Sequence, residues 1–304
     1  MKFAPNRLVG SIVPMVTPFD ASGAVDWPRF RALIDWQIQS GSHGISVTGT
    51  TGEPSALSQA ERRRAIDEGA SAVDGRVPFV PATGTNNLEE TVALTRYAEK
   101  AGADAALVIV PYYNRPSQDG LYRYFNEVAR KVELPLIIYN IPGRTAVNMA
   151  PETMARVRES CPNVIGVKES NKDFEHVTMV LHRCGRDFLL YSGIELLCYP
   201  MLTVGAVGYI SATANVMPGL VASIWDRFVD GDLTGASDVH YQLVEMSNAL
   251  FVETNPGPLK WVLGKLGRIE PFYRLPMCEP SVANQALLER VMRAYSLLPS
   301  QEVA

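Results

Sequence analysis

GISVTGTTGEPSALSQAERRRAIDEGASAVDGRVPFVPA, from Gly44 to Ala82, holds one complete strand, helix, strand unit. The run Gly44–Val47 ends in a loop rich in glycine and threonine. Ser58 then precedes Glu61 in capping-box spacing, an apolar stripe continues to Val73, and a second apolar run covers Val77–Ala82. The same alternation extends in both directions. Apolar runs recur at Leu8–Phe19, Ala105–Pro111, Leu134–Ile141, Val164–Val167, Phe188–Ser192 and Ala206–Ser211, which makes eight in all. Most are continuously apolar, as parallel strands buried on both faces are. Helical patterns lie between them, for example at Trp27–Gln39, Ser58–Val73, Leu88–Ala101 and Gly120–Val132. Eight strands, each followed by a helix, predict an α/β fold of the (β/α)8 barrel type over residues 1–229. From about Asp232 only helical patterns remain (Gly235–Val252, Pro258–Leu266 and Ser281–Leu298), so residues 230–304 read as a C-terminal helical appendage.

The length of 304 residues suits this reading. A prior of ~150 residues per domain suggests two domains, but an α/β barrel of roughly 250 residues is one. With 47% hydrophobic and 20% charged residues the chain has the composition of a folded protein. Its net charge of −4 argues against a nucleic-acid partner, which favours a basic face. Met1–Gly10 carries Lys2 and Arg7 without an apolar h-region, and no apolar run is long enough to span a membrane. Cys161, Cys184, Cys198 and Cys278 form no CxxC pair, and His43, His176, His182 and His240 form no HxH or HExxH motif. Neither a disulfide framework nor a metal site is expected, and a reducing cytoplasm is the default location.

A barrel of this kind carries its chemistry at the C-terminal ends of its strands. The groups there are Thr48–Glu53, Pro111–Asn114, Tyr139–Arg144, Lys168–Ser170, Ser192–Gly193 and Tyr209–Ser211. Lys168 is the most informative. The chain has seven lysines against 21 arginines, and the other six lie in helical or terminal segments where a solvated ammonium costs little. Lys168 instead closes the apolar run Val164–Val167. A lysine held among apolar neighbours becomes a nucleophile towards carbonyls, although a strand-end lysine also snorkels to solvent or pairs with a carboxylate such as Glu169. Thr50 and Thr51, between Gly49 and Gly52, form either an anion-binding nest or an ordinary turn. Tyr139 reads as a proton carrier or a core tyrosine, and Arg144 as a carboxylate clamp or a solvated arginine. Taken together, these groups describe imine chemistry on an α-keto acid.

The motifs GTTGE (Gly49–Glu53), PYYNRPSQ (Pro111–Gln118), YNIPGRT (Tyr139–Thr145), GVKES (Gly166–Ser170), GYISATAN (Gly208–Asn215) and FVETNPGPLKW (Phe251–Trp261) occur in that order. With them the chain, from Gly10 to about Pro276, resembles the dihydrodipicolinate synthase and N-acetylneuraminate lyase family of class I pyruvate-dependent barrels. The resemblance implies that Lys168 forms the Schiff base with pyruvate. It implies that Thr51 holds the pyruvate carboxylate, with Gly193 and Ile210 lining the same pocket. Tyr139, Thr50 and Tyr113 would relay protons, Tyr113 reaching in from a neighbouring subunit of a homodimer or homotetramer. Arg144 would receive the aldehyde partner's carboxylate. No cofactor and no metal are implied.

Within the family, PYYNRPSQ, GRT and ETNPGPLKW match the branch that joins pyruvate to L-aspartate 4-semialdehyde to give 4-hydroxytetrahydrodipicolinate, a step towards lysine and diaminopimelate. Departures from that branch are Ile194 ahead of Glu195, and Pro54-Ser55 after GTTGE. They leave open a catabolic pyruvate-dependent aldolase, or an aldolase or dehydratase of 2-keto-3-deoxy sugar acids. A non-catalytic scaffold would be expected to lose Lys168 or Tyr139, and both are present. Asn86, Glu90 and Tyr112 match the family's lysine-feedback pocket, whereas Gln59 and Arg62 stand where sensitive members have histidines. Weak or absent inhibition by lysine is expected.

Overall fold

The strands of this barrel are short because each needs only to cross its wall. They are β1 (Gly10–Pro14), β2 (Gly44–Ser46), β3 (Ala106–Ile109), β4 (Leu136–Asn140), β5 (Val164–Glu169), β6 (Leu189–Ser192) and β7 (Gly208–Ile210). All are parallel, in the order β2-β1-β7-β6-β5-β4-β3. The computed structural model describes residues 7–299. Lys2, most of the Met1–Gly10 segment and the last residues of the tail lie outside them.

The run Val77–Ala82, expected as a strand, closes the circle between β2 and β3 through single bridges, Ile45 to Phe79 and Ala82 to Leu107. Val80 N and Ala82 N donate to Ile45 O and Val47 O at 2.8 and 2.9 Å, and Leu107 N donates to Pro81 O at 2.9 Å. Pro78 and Pro81 lack an N–H, so this wall segment cannot complete a regular ladder.

Both faces of the wall are buried. Ile137 and Tyr139 of β4 point into the barrel with Ile12, Val80, Leu107, Tyr191 and Ile210. The intervening Ile138 points outward, into the larger shell shared with Phe30, Ile66, Phe125, Val157 and Val180 of the surrounding helices. This period of two explains why the runs are apolar throughout. Replacing Ile137 by alanine would cost ~2–5 kcal/mol through the cavity left behind.

Among the described residues nine α-helices accompany the strands: α1 (Trp27–Gln39), α2 (Gln59–Val73), α3 (Leu88–Lys100), α4 (Gln118–Arg130), α5 (Pro142–Thr145), α6 (Pro151–Ser160), α7 (Phe174–Cys184), α8 (Cys198–Thr203) and α9 (Pro218–Val229). The capping box of α2 forms as its spacing predicts: Glu61 N donates to Ser58 Oγ at 3.2 Å and Ser58 N to Glu61 Oε2 at 2.8 Å. The tail supplies α10 (Leu233–Gln242), α11 (Val244–Ala249), α12 (Gly257–Lys265) and α13 (Val282–Ala294). Among the described residues no helix is long and apolar enough to cross a membrane.

Candidate active site

Between the pairs Leu136–Val164 and Ile137–Gly166 the register shifts, and β5 carries one extra residue, Ile165. Beyond that bulge Lys168 pairs with Tyr139 on one side and with Tyr191 on the other. Lys168 is 6% exposed, and its Nζ stands 4.3 Å from the centroid of the Tyr139 ring. Glu169, the next residue, faces the opposite way. It is fully buried and accepts hydrogen bonds from Asn140 Nδ2 at 2.9 and 3.0 Å and from Asn171 N at 2.9 Å, with His176 Nε2 at 3.2 Å. The alternative of a Lys168–Glu169 pair is therefore not realised, because neighbouring residues of a strand point to opposite faces.

Room for the lysine comes from Gly193. A Cβ there would meet Lys168 Cε at 2.8 Å and Ser170 Oγ at 2.0 Å. Above Nζ lies a cavity of about 60 Å³ whose walls include Thr50, Thr51, Tyr139, Ile210 and Asn255. The Tyr139 hydroxyl lies 3.4 Å from Thr50 Oγ1. The turn that carries Thr50 is anchored by Thr17 Oγ1 donating to Gly52 O at 2.7 Å and by Asn255 Nδ2 donating to Thr51 Oγ1 at 3.0 Å. Arg144 follows β4 on α5 and donates from Nη2 to Asn255 O at 3.0 Å. It borders the small lysine cavity and also two wider cavities, of about 400 and 370 Å³.

The mouth thus gathers Lys168, Tyr139, Thr50, Thr51, Arg144, Gly193 and Ile210. Tyr113 is not brought in. Its side chain is 90% exposed and borders neither wide cavity. Its backbone has φ of 72°, and Asn114 N donates to Tyr112 O at 2.9 Å across it. Such a turn is strained for a non-glycine residue, by about 1–3 kcal/mol, and it displays the ring outward.

Three site residues escape a reading of sequence alone. Asn255 links the Thr51 turn to Arg144 from the tail. Glu195 is half-buried and lines the lysine cavity, where its carboxylate accepts from Ser211 Oγ and, at 2.8 Å, from Ala212 N; desolvation pushes this carboxyl up. Lys260 corrects the expectation that the remaining lysines are solvated. It is 0% exposed on α12, with Nζ 2.8 Å from Glu53 Oε1. Lys172 departs from that expectation too, since it lies in the loop between β5 and α7. The motif FVETNPGPLKW holds both Asn255 and Lys260, and the apolar surroundings of Lys260 in PLKWVL were the available signal.

The family model for the dihydrodipicolinate synthetase family matches residues 7–295. The chain belongs to this family. Among its dihydrodipicolinate synthetase relatives, the 4-hydroxy-tetrahydrodipicolinate synthase of Thermus thermophilus is 48% identical over 97% of this chain and 99% of its own. The enzyme of that name from Nitratidesulfovibrio vulgaris is 44% identical over 95% and 99%. The crystal structure of dihydrodipicolinate synthase from Aquifex aeolicus superposes with a TM-score of 0.94 at 39% identity, covering 97% of this chain and all of that one. Full-length agreement of this kind bears out the (β/α)8 barrel with C-terminal helices expected from the eight apolar runs.

Proposed function

We propose that the protein is a 4-hydroxy-tetrahydrodipicolinate synthase, a class I lyase that condenses pyruvate with L-aspartate 4-semialdehyde. The observation that carries this reading is the pairing of a buried lysine with a tyrosine whose hydroxyl reaches Thr50. The unprotonated Lys168 amine attacks the pyruvate ketone, and water leaves as the imine forms. The protonated imine nitrogen withdraws electrons, and Tyr139, exchanging protons with Thr50, takes one proton from the pyruvate methyl group. The resulting enamine carbon attacks the aldehyde carbon, and the aldehyde oxygen takes up a proton. Hydrolysis or intramolecular displacement by the substrate's own amine then frees Lys168. In this reading Thr51 holds the pyruvate carboxylate, Gly193 and Ile210 shape the pyruvate pocket, and Arg144 receives the carboxylate of the semialdehyde.

We further read the outward, strained Tyr113 as the last member of the relay, delivered to a second copy in a cytoplasmic homodimer or homotetramer. The barrel (1–229) and the tail (230–304) act as one unit, since the tail supplies Asn255. Borohydride trapping with pyruvate, followed by mass mapping, tests the reading. An adduct on Lys168 is expected, and its absence overturns the class I mechanism. Turnover of a panel of aldehydes then tests the second substrate, and a sugar-derived aldehyde used in preference to aspartate semialdehyde would overturn the synthase assignment.

A further inference from the structure

The reaction as proposed uses Lys260 nowhere, yet no other lysine of the chain is so completely enclosed among the described residues. Its ammonium lies 4.1 Å from the centroid of Phe19 and 5.6 Å from that of Tyr273, and Glu53 supplies its hydrogen-bonding carboxylate. The partners are 207 residues apart, one on the tail helix α12 and the other at the end of the GTTGE loop. Burial pushes the Glu53 carboxyl up and the Lys260 ammonium down, and their mutual attraction opposes both.

Glu53 stands two residues from Thr51 and borders the 400 Å³ cavity itself. Its backbone is left-handed, with φ 55° and ψ 52°, a conformation that a side chain with a Cβ disfavours. The turn before it has little internal support. Gly52 N donates to Gly49 O at 2.9 Å and Glu53 N to Thr50 O at 3.2 Å, while the other anchors come from Thr17 and Asn255. The conformation of Glu53 is therefore held from outside as well as by these local bonds, and the tail contributes through Asn255 and Lys260.

We infer that Lys260, acting through Glu53, is a positioning residue that fixes the Thr50–Thr51 turn in the shape that receives the α-keto acid. Without the ammonium, Glu53 loses the hydrogen bond that ties it to the tail, and its buried carboxylate, left with only the attraction of Arg274, must protonate or swing out. Either response releases the left-handed residue and, with it, the Thr51 backbone and the Thr50 hydroxyl. The inference rests on the proposed imine chemistry, which makes the Thr50–Thr51 turn the receiver of the α-keto acid.

The test is borohydride trapping at increasing pyruvate, with steady-state rates at increasing semialdehyde, on the full-length chain well below the thermal midpoint. Lys260→Met should raise the half-saturating pyruvate concentration by about tenfold or more, while the half-saturating semialdehyde concentration stays within about twofold. Glu53→Gln with Lys260→Met removes both charges at nearly constant volume. This pair should regain much of the thermal stability lost in Lys260→Met and keep the raised half-saturation. Wild-type half-saturation in the double variant would overturn the inference and leave the ion pair a purely structural element. Should neither lysine variant fold, Glu53→Ala, which removes the acceptor and with it the tail's hold on the turn, decides by the same criterion. A wild-type protein that forms no adduct on Lys168 would instead sink the imine reading.

Discussion

Lys168 Nζ and the Tyr139 ring centroid are 4.3 Å apart, and the two residues are neighbours in register across β4 and β5. A positive charge on that nitrogen, whether ammonium or protonated imine, thus faces the electron-rich face of the ring. The same tyrosine points its hydroxyl to Thr50. Its ring and its hydroxyl therefore have separable roles, one electrostatic and one in proton transfer.

Tyr139→Phe separates them. The ring and its packing remain, so the fold and the trapping of pyruvate on Lys168 should persist. Loss of the hydroxyl should lower kcat by ~10²–10³. Steady-state rates alongside trapping yields check this, and a variant with wild-type kcat would remove Tyr139 from the proton path.

Arg144 donates to the Asn255 carbonyl and borders the small lysine cavity as well as the two wider ones. Arg144→Ala should leave the half-saturating pyruvate concentration within about twofold and raise that of the semialdehyde by about tenfold or more. Equal effects on both substrates would mean that Arg144 acts through Asn255 on the Thr51 turn and does not bind the acceptor.

How much of this was legible depended on where each residue's partner lies in the chain. Burial of both strand faces writes itself into continuous apolar runs, so the barrel could be read directly. Its one irregular wall segment also has a local cause, in Pro78 and Pro81. Lys168 was legible because a lysine stands out at the end of VIGV. The orientation of Glu169 was not, since it depends on the bulge at Ile165, which no local pattern announces. Lys260 has apolar neighbours in its helical pattern that hint at burial, but only its distant partner Glu53 explains how a buried ammonium is tolerated. Asn255 likewise acquires meaning only when the tail folds back over the Thr51 turn.

Feedback by lysine is expected to be weak or absent. The Gln59 amide donates to Glu90 Oε1 at 3.2 Å, occupying a carboxylate that would otherwise be open to a ligand ammonium. Half-buried Arg62 borders the same cavity of about 220 Å³ and adds a positive charge there. Both features disfavour a dicationic side chain and main chain. Rates measured with millimolar lysine should match those without it, and an inhibition constant in the low-micromolar range would refute the expectation.

The tail is also tied to the barrel by charge. Arg274 donates from Nη1 and Nη2 to both carboxylate oxygens of Glu61, at 2.9 and 2.6 Å, and this guanidinium lowers the Glu61 pKa from 4.5 to about 2. A carboxyl whose folded pKa is depressed favours the folded state fully above its unfolded pKa. That contribution is lost as pH falls through the folded value, so the window runs from pH 4.5 down to about 2. Both side chains are partly exposed, so solvent screening limits the contribution to about 1 kcal/mol. Glu61→Gln retains one side-chain oxygen to accept from Ser58 N and removes the charge together with one acceptor for Arg274. The thermal midpoint of this variant should be lower than wild type at neutral pH, with the gap closing as pH falls through that window. A gap that stays constant down to pH ~2.5 would mean the loss came from the helix cap and not from the ion pair.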